Sequence, residues 1–286
     1  MVQERRTAFV FTGGGSLGAV QVGMLKALTA YGVSADLVIG ASVGAINAAY
    51  FASDPTIEGT KRLDQIWRNL RRRDVFPVSP FAALLGLLAR RDHLVSSSAL
   101  RHLLETHLPY ARLEQAKIPC HVVATELFQG REICFSTGPV IQAVVASAAI
   151  PVVYPPVRIG ELHLVDGGIA NNTPISTAIA LGATRTIVLP TGFACAIEQV
   201  PNSTIGMALQ TIVLYSVRQL VRDIKRFTNE VNLTVVPPLC PLTVAPHDFS
   251  STGELIDRAE EATARWLDKD GLERHGVPGA LLPHED

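Results

Sequence analysis

The sequence has no long hydrophobic run, and we expect no signal for export. No apolar stretch approaches the about 20 residues that a helix needs to cross a bilayer, so we expect any membrane contact to be peripheral. The apolar run near the N-terminus is too short for a signal peptide and lacks a cleavage site. We therefore expect a cytoplasmic protein whose contact with a membrane, where it occurs, is at the surface.

Excess charge is also lacking, because 25 basic residues stand against 26 acidic residues and the net charge is −1. The net charge gives the protein no overall attraction for a polyanion, so we expect no nucleic-acid partner. Hydrophobic residues make up 48% and charged residues 18% of the 286 residues. This composition suits a large buried core and excludes a mostly disordered chain.

Cysteine is scarce, and the four cysteines (Cys120, Cys134, Cys195 and Cys240) form no CxxC pair. Cys120 and Cys134 fall in segments that read as strands. We interpret the cysteines as small buried hydrophobes in a reducing compartment, not as a metal site or a disulfide framework. No other cluster has the spacing of metal ligands, so we expect neither a metal nor another cofactor.

What the sequence does contain is a regular alternation of strands and helices. Residues 6–11 and 37–42 read as strands, and residues 17–30 and 43–52 read as helices. Strand, helix, strand and helix within about 50 residues are typical of parallel strands with helical crossovers. We predict an α/β fold with three layers, α/β/α, around a mainly parallel central sheet, in one catalytic domain over residues 1–286.

The alternation stops between residues 56 and 108, where three helical segments are predicted at 57–70, 80–89 and 98–108. We expect this helical insertion to form a cap over a site. Its middle part, FAALLGLLA, lies between arginines at 71–73 and at 90–91. Such a segment is either a buried cap helix, which we favour, or a surface facing acyl chains or an anionic membrane.

Two further segments complete the prediction. Residues 204–227 read as a long amphipathic helix packed on the sheet, with five apolar residues on one side: Ile205, Leu209, Ile212, Leu220 and Ile224. The tail at about 276–286 is expected to be loose.

The glycine-rich loop TGGGSLG, residues 12–18, follows the first predicted strand and opens a helix. Gly13, Gly15 and Gly18 match the dinucleotide-binding pattern. That pattern also needs an acidic residue at the end of the second strand, but the nearest acid, Asp36, precedes that strand. The other interpretation is that consecutive backbone N–H groups and the positive end of the helix hold a transient anion.

The pentapeptide GASVG has the form GxSxG, between a β-branched strand and a helix. A sharp turn at this place exposes the oxygen of Ser42, and Gly40 and Gly44 let the strand and helix backbones approach closely. Ser42 is therefore a candidate nucleophile. The glycine loop lies at the end of a neighbouring parallel strand and can supply the oxyanion donors that such a serine needs.

A serine nucleophile also needs a base, and the sequence offers two candidates. His247, in APHDFS, is placed like the histidine of a catalytic triad. In an α/β-hydrolase, however, the turn that carries the nucleophile comes after several strands, whereas Ser42 lies at the end of the second strand. We therefore interpret His247 as a loop residue. We favour Asp166, in LVDGGIANNTP, where Gly167 and Gly168 allow a tight turn at a strand end. DGG by itself can also be read as a turn aspartate that caps its own loop.

The ordered set GGGSLG, GASVG, SAAIPVVYPPV and DGGIANNTP resembles the patatin-like phospholipase family, over about residues 7–189. The resemblance implies a serine–aspartate dyad on an α/β fold, with Ser42 as the nucleophile and Asp166 as the base. One departure is Leu17, where relatives often have a basic residue that would help to anchor an anionic head group.

The resemblance also assigns the glycine loop. The backbone amides of Gly14 and Gly15 would be the oxyanion donors, with Gly13 in the same loop and help from Ser16.

The function that this resemblance implies is a serine esterase of phospholipase A type. It would cleave fatty acyl esters of phospholipids or lysophospholipids first and of neutral lipids second, through an acyl-enzyme. One alternative is an acyl-CoA thioesterase or acyltransferase with the same dyad. Another is a nucleotide-binding module, in which the glycine loop binds the nucleotide and Ser42 is structural.

Overall fold

The computed structural model describes residues 5–76, 94–192 and 204–282. Eight strands form one sheet. They are β1 (Thr7–Phe11), β2 (Leu37–Ala41), β3 (Cys120–Glu126), β4 (Glu132–Phe135), β5 (Val157–Ile159), β6 (Leu162–Val165), β7 (Arg185–Leu189) and β8 (Asn232–Val235).

The helices surround this sheet. They are α1 (Gly18–Ala30), α2 (Val43–Ser53), α3 (Ile57–Asn69), α4 (Arg72–Val75), α5 (Ser98–His107), α6 (Val140–Ser147), α7 (Gly168–Asn171), α8 (Ile175–Ala180), α9 (Thr204–Phe227) and α10 (Thr252–Leu267). Short 3-10 turns lie at Gly15–Leu17, Leu113–Gln115, Gly271–Glu273 and Gly279–Leu281.

The strand order is β5-β6-β3-β2-β1-β7-β8, and β4 also pairs with β3. The five strands from β3 to β8 in this order are parallel. The three others, β4, β5 and β6, are antiparallel and gather on the β3 side of the sheet. The prediction of a mainly parallel sheet is therefore confirmed. The short strand β5, which follows a loop with several prolines, was not predicted.

Helices cover both faces of the sheet, as side chains in the central strand β1 show. Successive side chains of a strand point to opposite faces. Phe9 and Phe11 belong to the core that contains α1, α2 and α10, whereas Ala8 and Val10 belong to the core that contains α8 and α9. A strand buried on both faces is apolar throughout, which explains the sequence TAFVF. The predicted three-layer α/β/α fold is confirmed.

The helical insertion contains α3, α4 and α5 in its described part. The side chain of Thr56 caps α3 by accepting the Gly59 N–H at 3.1 Å. The short helix α4 was not predicted. The predicted segment at 80–89, with FAALLGLLA, lies outside the described residues.

The described residues differ from expectation at two places in the C-terminal third. Ile212 was expected to pack on the sheet, but it is 47% exposed, whereas Leu220 and Ile224 in the later part of α9 are buried. The tail was expected to be loose, but Leu281 is 3% exposed and belongs to the core beside α8 and α9. Leu281 lies in a short segment without helical or strand periodicity, so its burial depends on the tertiary fold.

Within the described residues, no helix is long and apolar enough to span a bilayer.

Candidate active site

The serine turn and the glycine loop lie at the same edge of the sheet. Strands β1 and β2 are parallel neighbours, with Phe11 opposite Gly40, so the chain leaves both strands at the same level. A Cβ atom on Gly13 would lie 3.0 Å from the Cβ of Ser42. The two turns are therefore in contact, as the parallel pairing predicts.

Asp166 reaches the same place from an antiparallel strand. It follows β6, which pairs with the end of β3. When the registers of β2 and β6 on β3 are extended by one residue, Ser42 and Asp166 lie on the two sides of Ala124. Strand β3 thus separates the two backbones, and the side chains meet across it.

The turn at Ser42 is strained. Ser42 has φ 55° and ψ −128°, a conformation that is sparsely populated by residues other than glycine. A Cβ on Gly40 would lie 2.3 Å from the Gly44 carbonyl oxygen, and one on Gly44 would lie 2.4 Å from the Phe11 carbonyl oxygen. Both positions therefore require glycine, for the close backbone approach that the GxSxG spacing predicts.

The hydroxyl of Ser42 donates a hydrogen bond to Oδ2 of Asp166 at 2.6 Å. The other carboxylate oxygen, Oδ1, accepts the Gly168 N–H at 2.8 Å. Asp166 therefore caps its own loop and contacts Ser42 at the same time, so the two interpretations of DGG are both realised. Position 167 requires glycine, because a Cβ atom there would lie 2.0 Å from the Val123 carbonyl oxygen.

Burial changes the basicity of this carboxylate. Asp166 is 6% exposed, and its removal from water raises its pKa from 3.8 to about 6. The hydrogen bonds from Ser42 and from the Gly168 N–H lower the pKa and offset part of that rise. Asp166 is thus a stronger base than an exposed aspartate, yet mainly ionised at neutral pH.

Ser147 is a residue of this site that the sequence reasoning missed. Its hydroxyl accepts the Ser42 N–H at 2.9 Å and donates to the Val123 carbonyl oxygen. Its carbonyl oxygen accepts the Gly167 N–H at 3.0 Å. Ser147 therefore ties the serine turn to the aspartate loop. The sequence signal for Ser147 is its place at the start of the motif SAAIPVVYPPV.

The glycine loop offers fewer free amides than expected. The Ser16 N–H donates to the Pro246 carbonyl oxygen at 2.8 Å, and its hydroxyl donates to the Ala245 carbonyl oxygen at 3.1 Å. Ser16 is therefore engaged, contrary to its expected help in the oxyanion hole. In the part of the chain that the structure describes, the N–H groups of Gly14 and Gly15 have no hydrogen-bond acceptor.

Buried polar side chains hold the glycine loop from behind. The hydroxyl of Thr191 donates to the Gly13 carbonyl oxygen at 2.8 Å. The amide of Gln21 donates to the carbonyl oxygens of Thr12 and Leu189, at 2.8 and 2.9 Å. These contacts connect the ends of β1 and β7 and fix the direction of the loop that follows.

A second layer of hydrogen bonds supports Gln21. Asn47 in α2 donates to Oε1 of Gln21 at 2.8 Å and to the Gly18 carbonyl oxygen at 3.0 Å. The indole N–H of Trp67 in α3 donates to Oδ1 of Asn47 at 2.9 Å. This series of hydrogen bonds links the helical insertion to the glycine loop.

Ser42 lies where two cavities meet. The outer cavity, of about 270 Å³, contains Asp166 and polar side chains such as Asn172 and Thr191. The inner cavity, of about 70 Å³, lies between α2, α3 and α5 and is almost entirely apolar. Four residues line both cavities: Gly15, Ser42, Phe76 and Ile150.

His247 lies in an exposed turn and lines the outer cavity. The carboxylate of Asp166, and not His247, forms the hydrogen bond to the Ser42 hydroxyl among the described residues.

Comparison with known proteins gives a match to the model of the family described as patatin-like phospholipase, over residues 9–179. The chain is similar to an uncharacterised NTE family protein of Mycobacterium tuberculosis, with 30% identity over 188 residues, which are 64% of this chain and 48% of that protein. It is also similar to mouse patatin-like phospholipase domain-containing protein 7, with 27% identity over 67% of this chain and 14% of that protein. The chain thus spans about half the length of its mycobacterial relative and a smaller part of the mouse protein.

Among solved structures, human GIVD cytosolic phospholipase A2 aligns with a TM-score of 0.48 and 14% identity, over 98% of this chain and 60% of that chain. VipD from Legionella pneumophila aligns with a TM-score of 0.47 and 15% identity, over 93% of this chain and 67% of that chain. The match to the family model covers more than half of the sequence and includes the serine turn, the glycine loop and the aspartate loop. The chain belongs to the patatin-like phospholipase family.

Proposed function

We propose that this protein hydrolyses carboxylic esters of fatty acids through a dyad of Ser42 and Asp166. The observation that carries the proposal is the 2.6 Å hydrogen bond from the Ser42 hydroxyl to a buried carboxylate, at the junction of two cavities. Membership of the patatin-like phospholipase family supports the same chemistry.

In the proposed first step, Oγ of Ser42 attacks the ester carbonyl carbon while its proton passes to Oδ2 of Asp166. The carbonyl electrons move to the oxygen, and they return when the alcohol leaves and takes the proton from Asp166. Water then attacks the acyl-enzyme in the same way and releases the fatty acid.

The N–H groups of Gly14 and Gly15, which find no acceptor among the described residues, are the proposed oxyanion donors. They lie in a loop that contacts the Ser42 turn and precedes α1, whose positive end adds to the field. Loss of one such donor typically costs on the order of 100-fold to 1000-fold in turnover.

The proposed substrates are phospholipids or lysophospholipids first and neutral lipids second. Both cavities beside Ser42 are lined mainly by apolar side chains, and the outer cavity also contains polar side chains such as Asn172 and Thr191, a combination that suits an amphiphilic ester. We also propose peripheral contact with lipid surfaces, because three residues that line the outer cavity are 39 to 47% exposed: Leu94, Ile169 and Ile212.

Two variants test the dyad, S42A and D166N, assayed on p-nitrophenyl acyl esters. We expect each to lose at least about 1000-fold in turnover, because the remaining site lacks either the nucleophile or the base. The matched controls are S53A and D36N, which change a serine and an aspartate away from the dyad. Near-normal turnover in S42A or D166N, with circular dichroism unchanged, would contradict the proposal.

A separate experiment identifies the substrate class by comparing phospholipid with acyl-CoA. Hydrolysis of phospholipid by the purified protein, followed by mass spectrometry of the products, is expected to exceed the turnover of acyl-CoA. Faster turnover of acyl-CoA would instead favour a thioesterase or acyltransferase. Saturable binding of NAD or ATP without ester hydrolysis would favour a nucleotide-binding module.

A further inference from the structure

The lining of the outer cavity carries few charges. Among the described residues that line it, three have ionisable side chains: Arg72, Asp166 and His247. Asp166 is buried and is engaged with Ser42, and the glycine loop at residues 12–18 contains no charged side chain. A guanidinium keeps its proton at every pH at which this protein would act. Arg72 is therefore the permanent positive charge of the lining, within the described part of the chain.

Arg72 is the middle one of three consecutive exposed arginines, and the three differ in what they face. Arg72 lines the outer cavity. Arg73 lines a separate surface groove between α3 and α5, and its Nε lies 3.9 Å from Oδ1 of Asp74. Arg71 lines neither the cavity nor the groove. The local fold thus directs one arginine of the three toward Ser42, and its neighbours serve as natural controls.

Aromatic packing fixes the backbone that carries Arg72. The Arg72 carbonyl oxygen accepts the Phe76 N–H at 2.6 Å. The ring of Phe76 stacks on Tyr154, with centroids 5.7 Å apart, and meets Phe249 edge to face at 6.0 Å. The hydroxyl of Tyr154 donates to the Val75 carbonyl oxygen. Because Phe76 itself lines both cavities, the exposed side chain of Arg72 starts from a backbone anchored in the wall of the site.

The charge of Arg72 lies on the same side of the cavity as the glycine loop. The Ser250 N–H, at 2.8 Å, lowers the pKa of Asp248, and the nearby charges of His247 and Arg72 lower it further. Arg72 therefore lies close to the turn at residues 245–248. In that turn the Pro246 carbonyl oxygen accepts an N–H of the glycine loop at 2.8 Å. Within the described residues the guanidinium of Arg72 forms no hydrogen bond, so its N–H groups remain available to a ligand.

A phosphate diester is the anion that suits this position. A guanidinium donates two parallel hydrogen bonds to a phosphate group, which a point charge cannot do. In a glycerophospholipid the phosphate and the acyl ester are attached to the same glycerol, so the phosphate enters the site together with the ester carbonyl. The carbonyl oxygen is expected at the N–H groups of Gly14 and Gly15, on the side of the cavity where Arg72 lies. A neutral glyceride has no anion there and gains nothing from the charge.

We propose that Arg72 binds the phosphate of the substrate's head group and thereby makes the protein prefer phospholipids to neutral glycerides with the same acyl chains. This inference rests on the proposed ester hydrolysis and specifies its substrate class. The phosphate is already bound before Ser42 attacks, so the contact stabilises the bound substrate and the transition state alike. Its loss therefore acts mainly on KM and little on kcat.

The test compares dihexanoylphosphatidylcholine with dihexanoylglycerol, both as dissolved monomers, so that the acyl chains are equal and no lipid surface takes part. For the parent protein we expect a higher kcat/KM on the phospholipid. R72Q is expected to lose about 10- to 100-fold in kcat/KM on the phospholipid, mainly through KM, because charge-assisted hydrogen bonds are lost. Its kcat/KM on dihexanoylglycerol is expected to stay within about twofold of the parent value. R72K keeps the charge without the planar fork and is expected to recover part of the loss.

R73Q is the matched control, because it removes the same charge from the next residue, which faces the separate groove. It is expected to leave both substrates unaffected. Equal losses of R72Q on the two substrates, an unchanged preference in R72Q, or the same loss in R73Q would each overturn the assignment. Hydrolysis of both esters by the parent protein with equal kcat/KM would overturn this inference alone, whereas hydrolysis of neither would overturn the proposed function as well.

Discussion

Single residues at this site are held in conformations and environments that cost free energy. Ser42 has a positive φ, and the carboxylate of Asp166 is buried. Each state costs on the order of 1–3 kcal/mol and persists because Gly40, Gly44 and Ser147 fix the surrounding backbone. The GxSxG spacing predicts the strained turn from sequence. The role of Ser147 could not be predicted, because its partners Ser42, Val123 and Gly167 lie in segments that are distant in sequence.

The raised pKa of Asp166 gives a prediction for the pH dependence of activity. As the proposed base, Asp166 must be ionised in the free protein, so kcat/KM is expected to rise with pH through about 6 and to stay level above it. The measurement is kcat/KM on a neutral ester from pH 4.5 to 8, after subtraction of spontaneous hydrolysis. A rise centred near 4, the value of an exposed aspartate, would show that burial does not tune this group.

Ser147 gives a second prediction at this scale. S147A removes the acceptor of the Ser42 N–H, so we expect kcat to fall about tenfold or more with little change in KM, because the nucleophile loses its fixed position. S53A is the control, since Ser53 is also buried but bonds a carbonyl oxygen in its own helix. Equal kcat values for S147A and the parent protein would remove the positioning role.

At the scale of elements, the pairing of strands decides what sequence can predict. Parallel neighbours end at the same edge, so the contact between the glycine loop and Ser42 follows from the order of β1 and β2. Asp166 follows an antiparallel strand, and only the register of β6 on β3 brings it to Ser42. The contact of Ser16 with the turn around Pro246 joins residues far apart in the chain, and no local pattern indicates it.

The hydrogen-bonded chain from α3 to the glycine loop gives a prediction for stability. N47A leaves the Trp67 indole N–H and Oε1 of Gln21 without their partner in a dry interior. We expect the free energy of unfolding to fall by about 2–4 kcal/mol, measured by urea denaturation. R158A, at an exposed ion pair, is expected to change it by less than about 0.5 kcal/mol. A similarly small effect in N47A would show that these hydrogen bonds contribute little to the free energy of unfolding.

For the molecule as a whole, the site is a junction between the sheet and the helical insertion. The sheet edge supplies Ser42 and Asp166, and α3 and α5 supply the apolar cavity beside them. The sequence predicts that the insertion is helical and covers a site. It does not predict the two cavities, because their volume depends on how distant helices pack.

The exposed apolar rim of the outer cavity, formed by Leu94, Ile169 and Ile212, gives a prediction for membrane contact. Binding to phosphatidylcholine vesicles is expected to persist at high salt, because the rim residues are apolar and the contact depends little on charge. I169D is expected to weaken cosedimentation severalfold, whereas E161D, at an exposed site outside the lining of the outer cavity, is expected to leave it unchanged. Loss of binding at high salt would indicate an electrostatic contact instead.

The most direct test of the central claim is covalent labelling with a long-chain fluorophosphonate, followed by intact-mass and peptide mass spectrometry. A serine activated by Asp166 is expected to give one adduct, on Ser42, which is absent in S42A and forms much more slowly in D166N. An adduct on another residue, or ester hydrolysis that persists in S42A without labelling, would contradict the account.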